Sequence, residues 1–105
     1  MVVEIRLLVQ ELTYHEFEIK VNDEVMHANC YLTLEETGVI LRQVDIEGPG
    51  ASVFGSGFLK IVYAVAKEIA FLFDRKRVEI HGAKRTTGKT KGKIPRPIII
   101  AFDKL

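Results

Sequence analysis

The sequence predicts an α+β domain: one antiparallel sheet, with elements in the chain order ββββαββ, and a single long helix packed across one face. Three observations carry this. Four stretches within the first 47 residues alternate apolar and polar side chains with a period of two, and one later stretch repeats its apolar residues at three- and four-residue spacing. The links between the first four stretches are too short for parallel pairing, which needs a crossover of about a dozen residues or more.

The first strand spans residues 3–12, with Val3, Ile5, Leu7 and Val9 on one side and Glu4, Arg6, Leu8 and Gln10 on the other. Residues 13–16 turn the chain, and Phe17, Ile19 and Val21 then alternate with Glu16, Glu18 and Lys20 up to the turn-forming pair Asn22-Asp23, which closes a hairpin. A third strand over 26–34 places Met26, Ala28, Cys30, Leu32 and Leu34 on one face and His27, Asn29, Tyr31 and Thr33 on the other. Glu35-Glu36-Thr37-Gly38 turns into a fourth strand, Val39 to Glu47. After Gly48-Pro49-Gly50 the period changes. From Phe58, the positions Leu59, Ile61, Val62, Val65, Ala66, Ile69, Ala70, Leu72 and Phe73 describe a helix with a wide apolar stripe, leaving Lys60, Lys67 and Glu68 as its wet residues. Arg75-Lys76-Arg77 follow its negative end. Val78-Glu79-Ile80 makes a fifth strand, and 97–102, built on Ile98-Ile99-Ile100, a sixth.

With 105 residues, 48% of them apolar and 28% charged, the chain is one undivided domain of globular composition. Cys30 is the single cysteine, so no internal disulfide forms, and the start MVVEIRLLVQ carries Glu4 and Arg6 where a signal peptide would be apolar. The expected location is the cytoplasm. No membrane association is expected either, because the longest apolar stretch, 58–73, is broken by Lys60, Lys67 and Glu68 and falls short of the roughly 20 residues a span needs.

Charge is the most distinctive feature. The segment KRTTGKTKGKIPRP, residues 84–97, holds six cations, Lys84, Arg85, Lys89, Lys91, Lys93 and Arg96, and no acid. Residues 1–83 carry eight basic against thirteen acidic residues, a net −5, so the overall +1 hides a dipole. Glycines at 82, 88 and 92 let backbone amides approach an anion, and Thr86, Thr87 and Thr90 add neutral donors. This loop is the candidate anion-binding site: Lys84, Arg85, Thr86, Thr87, Lys89, Lys91, Lys93 and Arg96. Ser56 and Gly57, at the helix start, would contribute free amides if the loop folds over the same end of the sheet. The glycine-rich stretch 48–57 is otherwise a turn: it lacks the Lys-Ser/Thr pair of a P-loop and the spacing of the dinucleotide fingerprint.

His81, at the mouth of the loop, forms with Arg85 and Thr86 a ribonuclease-like set of base, cation and hydroxyl, the candidate catalytic residues. No metal and no cofactor are expected, since Cys30 is alone and no two histidines have zinc-ligand spacing. Cys30 reads as a small core residue. The phenylalanines, Phe71 and Phe102 among them, read as core, while Tyr14 in the first turn and Tyr31 on the polar face of the third strand offer a small stacking surface. The expected function is a polyanion-binding module for RNA, single-stranded DNA or another phosphate-rich ligand. The alternatives are a small phosphodiesterase or nuclease using His81, and a homo-oligomeric or partner-binding protein whose acidic body receives the basic loop of another copy. Leu8, Leu12 and Leu41, apolar residues on faces read as polar, would mark an apolar dimer seam.

Overall fold

Two residues in the left-handed region make the first two reversals: Leu12 (φ 53°) and Asn22 (φ 56°) each open a two-residue hairpin turn. Asn suits that backbone, and its Oδ1 accepts from the Val2 amide over 3.1 Å. The computed structural model describes residues 2–48, 58–82 and 96–102. Its elements are β1 (Val3–Glu11), β2 (Tyr14–Val21), β3 (Glu24–Leu34), β4 (Gly38–Glu47), α1 (Phe58–Phe73), β5 (Arg77–Gly82) and β6 (Ile98–Ala101). They form a six-stranded sheet in the spatial order β1-β2-β3-β4-β5-β6 with α1 across one face.

The sheet is mixed rather than wholly antiparallel. Four of its five pairings are antiparallel, but β4 and β5 run parallel, with Val39 opposite Val78 and Leu41 opposite Ile80. The reason is the connection between them. Residues 48–76, with α1 inside them, are a crossover long enough to return the chain to the same end of the sheet.

The inner face is built in cross-strand rows: Leu7, Phe17, Ala28 and Ile46; Ile5, Ile19 and Met26; Leu32, Leu41, Ile80 and Ile98; Val39, Val78 and Ile100. Against these α1 places Ile61, Val65, Ala66, Ile69 and Ala70, and Phe102 closes one end. The buried stripe of the helix is narrower than the sequence pattern implies. Leu59, Tyr63, Phe71 and Leu72 are exposed, Phe71 at 72%, because the alternation of β-strand residues can cover only the side of the helix that meets the sheet.

The helix ends in a Schellman motif. Asp74 takes φ 53°, the Arg75 amide donates to Ala70 O over 2.8 Å and the Asp74 amide to Phe71 O over 3.2 Å. The Arg75 guanidinium covers the remaining carbonyl of Phe73 and reaches Glu35 O, while Arg77 pairs with the Glu35 carboxylate at 2.9 Å. This ties the helix exit to the β3–β4 turn and fixes where β5 begins.

Two expectations about leucines change with the register. Leu41 is 4% exposed and faces inward opposite Leu32 and Ile80, because Gln43 (φ 52°) takes up an irregularity in β4 that resets the alternation. Leu8 sits at the corresponding shift in β1, and Leu12 projects from the turn; both are exposed. An apolar seam through Leu41 is therefore ruled out.

Candidate functional site

The basic loop is carried by the ribbon of β5 and β6, whose last pair, Ile80 and Ile98, faces the core. Lys84, Arg85, Thr86, Thr87, Lys89, Lys91 and Lys93, with Ser56 and Gly57, lie outside the described residues. Of the predicted site residues, His81 and Arg96 are described, and they stand at the two feet of the loop on different sides. His81 shares the open side of the sheet with Glu79: its Nε2 donates to Glu79 Oε1 over 3.1 Å. Arg96 is exposed, and it lines a cavity on the helix side.

The open face of the sheet, away from α1, follows from the same registers. Its rows read Arg6, Glu18, His27 and Glu47; Val9, Glu16, Asn29 and Asp45; Glu11, Tyr14, Tyr31 and Arg42; Thr33, Ile40, Glu79 and Ile99. With Glu4 opposite Lys20 and Arg77 in the row of Gly38 and Ala101, seven carboxylates meet four cations there. Arg6 is committed to Glu18 at 3.1 Å, and Arg42 donates to Thr33 Oγ1. A shallow depression on this face is lined by Leu8, Glu16, His27, Asn29 and Glu47. Among the described residues no three His, Cys, Asp or Glu side chains are grouped to hold a metal ion.

Tyr14 belongs to β2 rather than to the turn and packs edge-on against Tyr31, with ring centroids 5.9 Å apart. Its hydroxyl donates to Glu16 Oε1 over 2.6 Å, and that bond to a carboxylate, with a smaller contribution from desolvation, pushes the phenol up to about 12. Tyr14 and Tyr31 stand side by side on the open face, set among Glu11, Glu16 and Asp45. That field disfavours a phosphate backbone lying flat across the sheet.

Beneath α1 lies a cavity of about 220 Å³. Val62, Val65 and Ile69 bound it from the helix, Phe17, Ala28, Cys30, Leu41 and Val44 from the sheet, and Gly82, Arg96 and Ile98 at the end nearest the loop. Two features create it. Ala28 and Cys30 are small residues on the inner face, and the irregularity at Gln43 shifts the pairing of β4 with both β3 and β5 just before Val44, which stands opposite Gly82. Because Arg96 is exposed and also lines the cavity, the cavity reaches the surface there.

Cys30 lines this cavity and is buried, and desolvation pushes its thiol up to about 11, which keeps it protonated and unreactive as a nucleophile. His15, also on the inner face, is buried between Phe17 and Phe73; its Nδ1 donates to Thr13 O over 2.9 Å and its Nε2 has no partner among the described residues. The pattern of β2 marks His15 as inward only once the hairpin turn is placed at residues 12–13.

No helix among the described residues is long and apolar enough to cross a membrane. The described residues thus define a mixed α+β sheet domain with an acidic open face and an apolar cavity under its helix, and in sequence the cation-rich segment joins β5 to β6. The chain matches no family model, no curated protein sequence and no solved structure.

Proposed function

We propose that the chain is a non-catalytic module that binds a polyanion, RNA or single-stranded DNA, through Lys84, Arg85, Lys89, Lys91, Lys93 and Arg96. The observation that carries this reading is the separation of charge: six cations and no acid in residues 84–97, against seven carboxylates and four cations on the open sheet face. A phosphate backbone is repelled by that face and attracted to the tip of the β5–β6 ribbon, so the contact is end-on and electrostatic. Thr86, Thr87 and backbone amides of the glycine-punctuated loop add hydrogen bonds to the phosphates.

Fluorescence anisotropy with labelled RNA and single-stranded DNA tests it. If all six cations each neutralise a phosphate on a single strand, log affinity falls with log salt at a slope near −4, from about 0.7 per contact. Raising salt about fourfold then weakens binding on the order of 300-fold. Replacing the six by Gln is expected to abolish binding at low salt. Binding that survives the replacement, or that ignores salt, disproves the reading.

One contact favours a second reading, phosphodiester cleavage with His81 as base. A carboxylate behind an imidazole fixes its tautomer and orientation, and Glu79 stands 3.1 Å from His81 Nε2 in that role, leaving Nδ1 to face a substrate. Arg85 and Thr86 complete the set in this scheme. His81→Ala is expected to end RNA cleavage with affinity within about twofold of the parent. A parent chain that cleaves nothing, or a variant that cleaves as fast, eliminates it.

A further inference from the structure

We propose that the cavity under α1 is a binding site for an amphipathic anion with one short acyl chain, a medium-chain carboxylate, whose head group pairs with Arg96 at the mouth. Among the described residues the site shares Arg96 with the loop, and it does not depend on nucleic-acid binding.

The walls select an apolar guest. The side chains of Phe17, Cys30, Val44, Val65 and Ile69 offer no strong donor or acceptor, and the Cys30 thiol stays neutral. A small polar or fully charged ligand entering here loses its hydration without replacement. The rim selects an anion. Arg96 is the charged residue among the described lining, and a guanidinium is a five-donor fork that matches a carboxylate with two parallel hydrogen bonds. A neutral hydrocarbon leaves that fork unused, and a polyanion cannot bring its charged backbone into the cavity. One apolar tail with one acidic head fits both ends.

Size narrows the class. An apolar cavity of about 150 Å³ takes a benzene-sized guest, so about 220 Å³ suits on the order of eight to ten non-hydrogen atoms. The irregularity at Gln43 offsets the pairing of β4 with β3 and β5 beside the cavity, and Val44, opposite Gly82, forms part of its wall.

Calorimetric titration of the full chain with octanoate, and with octanol as the uncharged match, tests the proposal. Octanoate is expected to bind one-to-one and about tenfold more tightly than octanol. Arg96→Gln should remove that difference and leave octanol unaffected. Ala28→Leu and Val44→Phe, which fill the cavity from the sheet, should end binding of both. A variant with Lys84, Arg85, Lys89, Lys91 and Lys93 all changed to Gln should bind octanoate like the parent; loss of binding there assigns the anion to the loop and overturns the proposal. So does a parent chain that ignores octanoate, an Arg96→Gln chain that binds it unchanged, or a folded cavity-filled variant that still takes it. Should both filling variants fail to fold, the exposed Arg96 substitution decides alone.

Discussion

Val78→Asp is expected to leave no cooperatively folded protein at neutral pH. Val78 has no exposed surface and stands at the centre of the row Val39, Val78 and Ile100, paired with β4 on one side and β6 on the other. The substitution removes the burial of a valine, worth about 1.5–3 kcal/mol, and puts a carboxylate where neither strand offers a donor beyond those of the sheet ladder. The effective penalty for an unpaired buried charge is several kcal/mol more, and the sum reaches the roughly 5–15 kcal/mol available to a domain. Burial raises the carboxyl's folded-state pKa above its ordinary ~3.9, so the charge penalty is full above the folded value and fades as pH falls towards the ordinary one. Val78→Asn, which keeps the shape and polarity without the charge, should retain a broadened urea transition by circular dichroism. If Val78→Asp melts like Val78→Asn at pH 7, the site is wetter than its burial indicates.

The consequence reaches the loop, because β5 and β6 are its two feet. A chain with β5 unpaired still has six cations in residues 84–97 but no ribbon to present them, so Val78→Asp also separates two kinds of polyanion binding. Affinity that persists in the unfolded variant comes from charge alone. Affinity that is lost comes from the arrangement the fold imposes.

What the sequence made legible was periodicity. The alternation in 3–11, 14–21 and 24–34 needs only one buried face to be readable, and it placed those strands to within two or three residues; the spacing in 58–73 placed the helix at both ends. Less visible were features that depend on partners distant in the chain. The parallel pairing of β4 with β5 is a property of the crossover between them, and a strand's own pattern does not tell which neighbour it will have. Leu41 looked exposed because its inward face is set by the irregularity at Gln43, a residue with no turn signature of its own. Phe71 looked buried because hydrophobicity was counted around the whole helix, whereas a single sheet covers one side of it. The cavity was hidden for a related reason. Ala28 and Cys30 read as ordinary small core residues, and it takes the packed geometry to show that, among the described side chains, nothing larger from α1 or β4 fills the space they leave. Charge segregation was legible in full, yet its meaning for the open face needed the cross-strand rows that gather Glu16, Glu18, Asp45, Glu47 and Glu79 on one side.

Phe17→Ala is the second large effect, and it bears on the cavity directly. Phe17 is 2% exposed, lies over His15 with ring centroids 6.1 Å apart, meets Phe73 edge-on at 6.4 Å, and forms part of the cavity wall. Removing the ring merges its volume with a void already present, so the neighbours cannot collapse into the gap from that side. The cost is expected at the usual scale for such a truncation, about 3–5 kcal/mol, read as a lower urea midpoint with an unchanged slope. Phe17→Leu, which retains most of the packing, should lose less than half of that. The enlarged cavity also predicts a rescue: octanol or benzene should raise the melting temperature of Phe17→Ala more than that of the parent, by mass action on a site that exists only in the folded chain. A parent and variant stabilised equally by both guests would show that Phe17 does not border the occupied space. A loss well under 2 kcal/mol would mean that the helix settles onto the sheet when the ring is gone, and that the cavity is not held open by the geometry of β4.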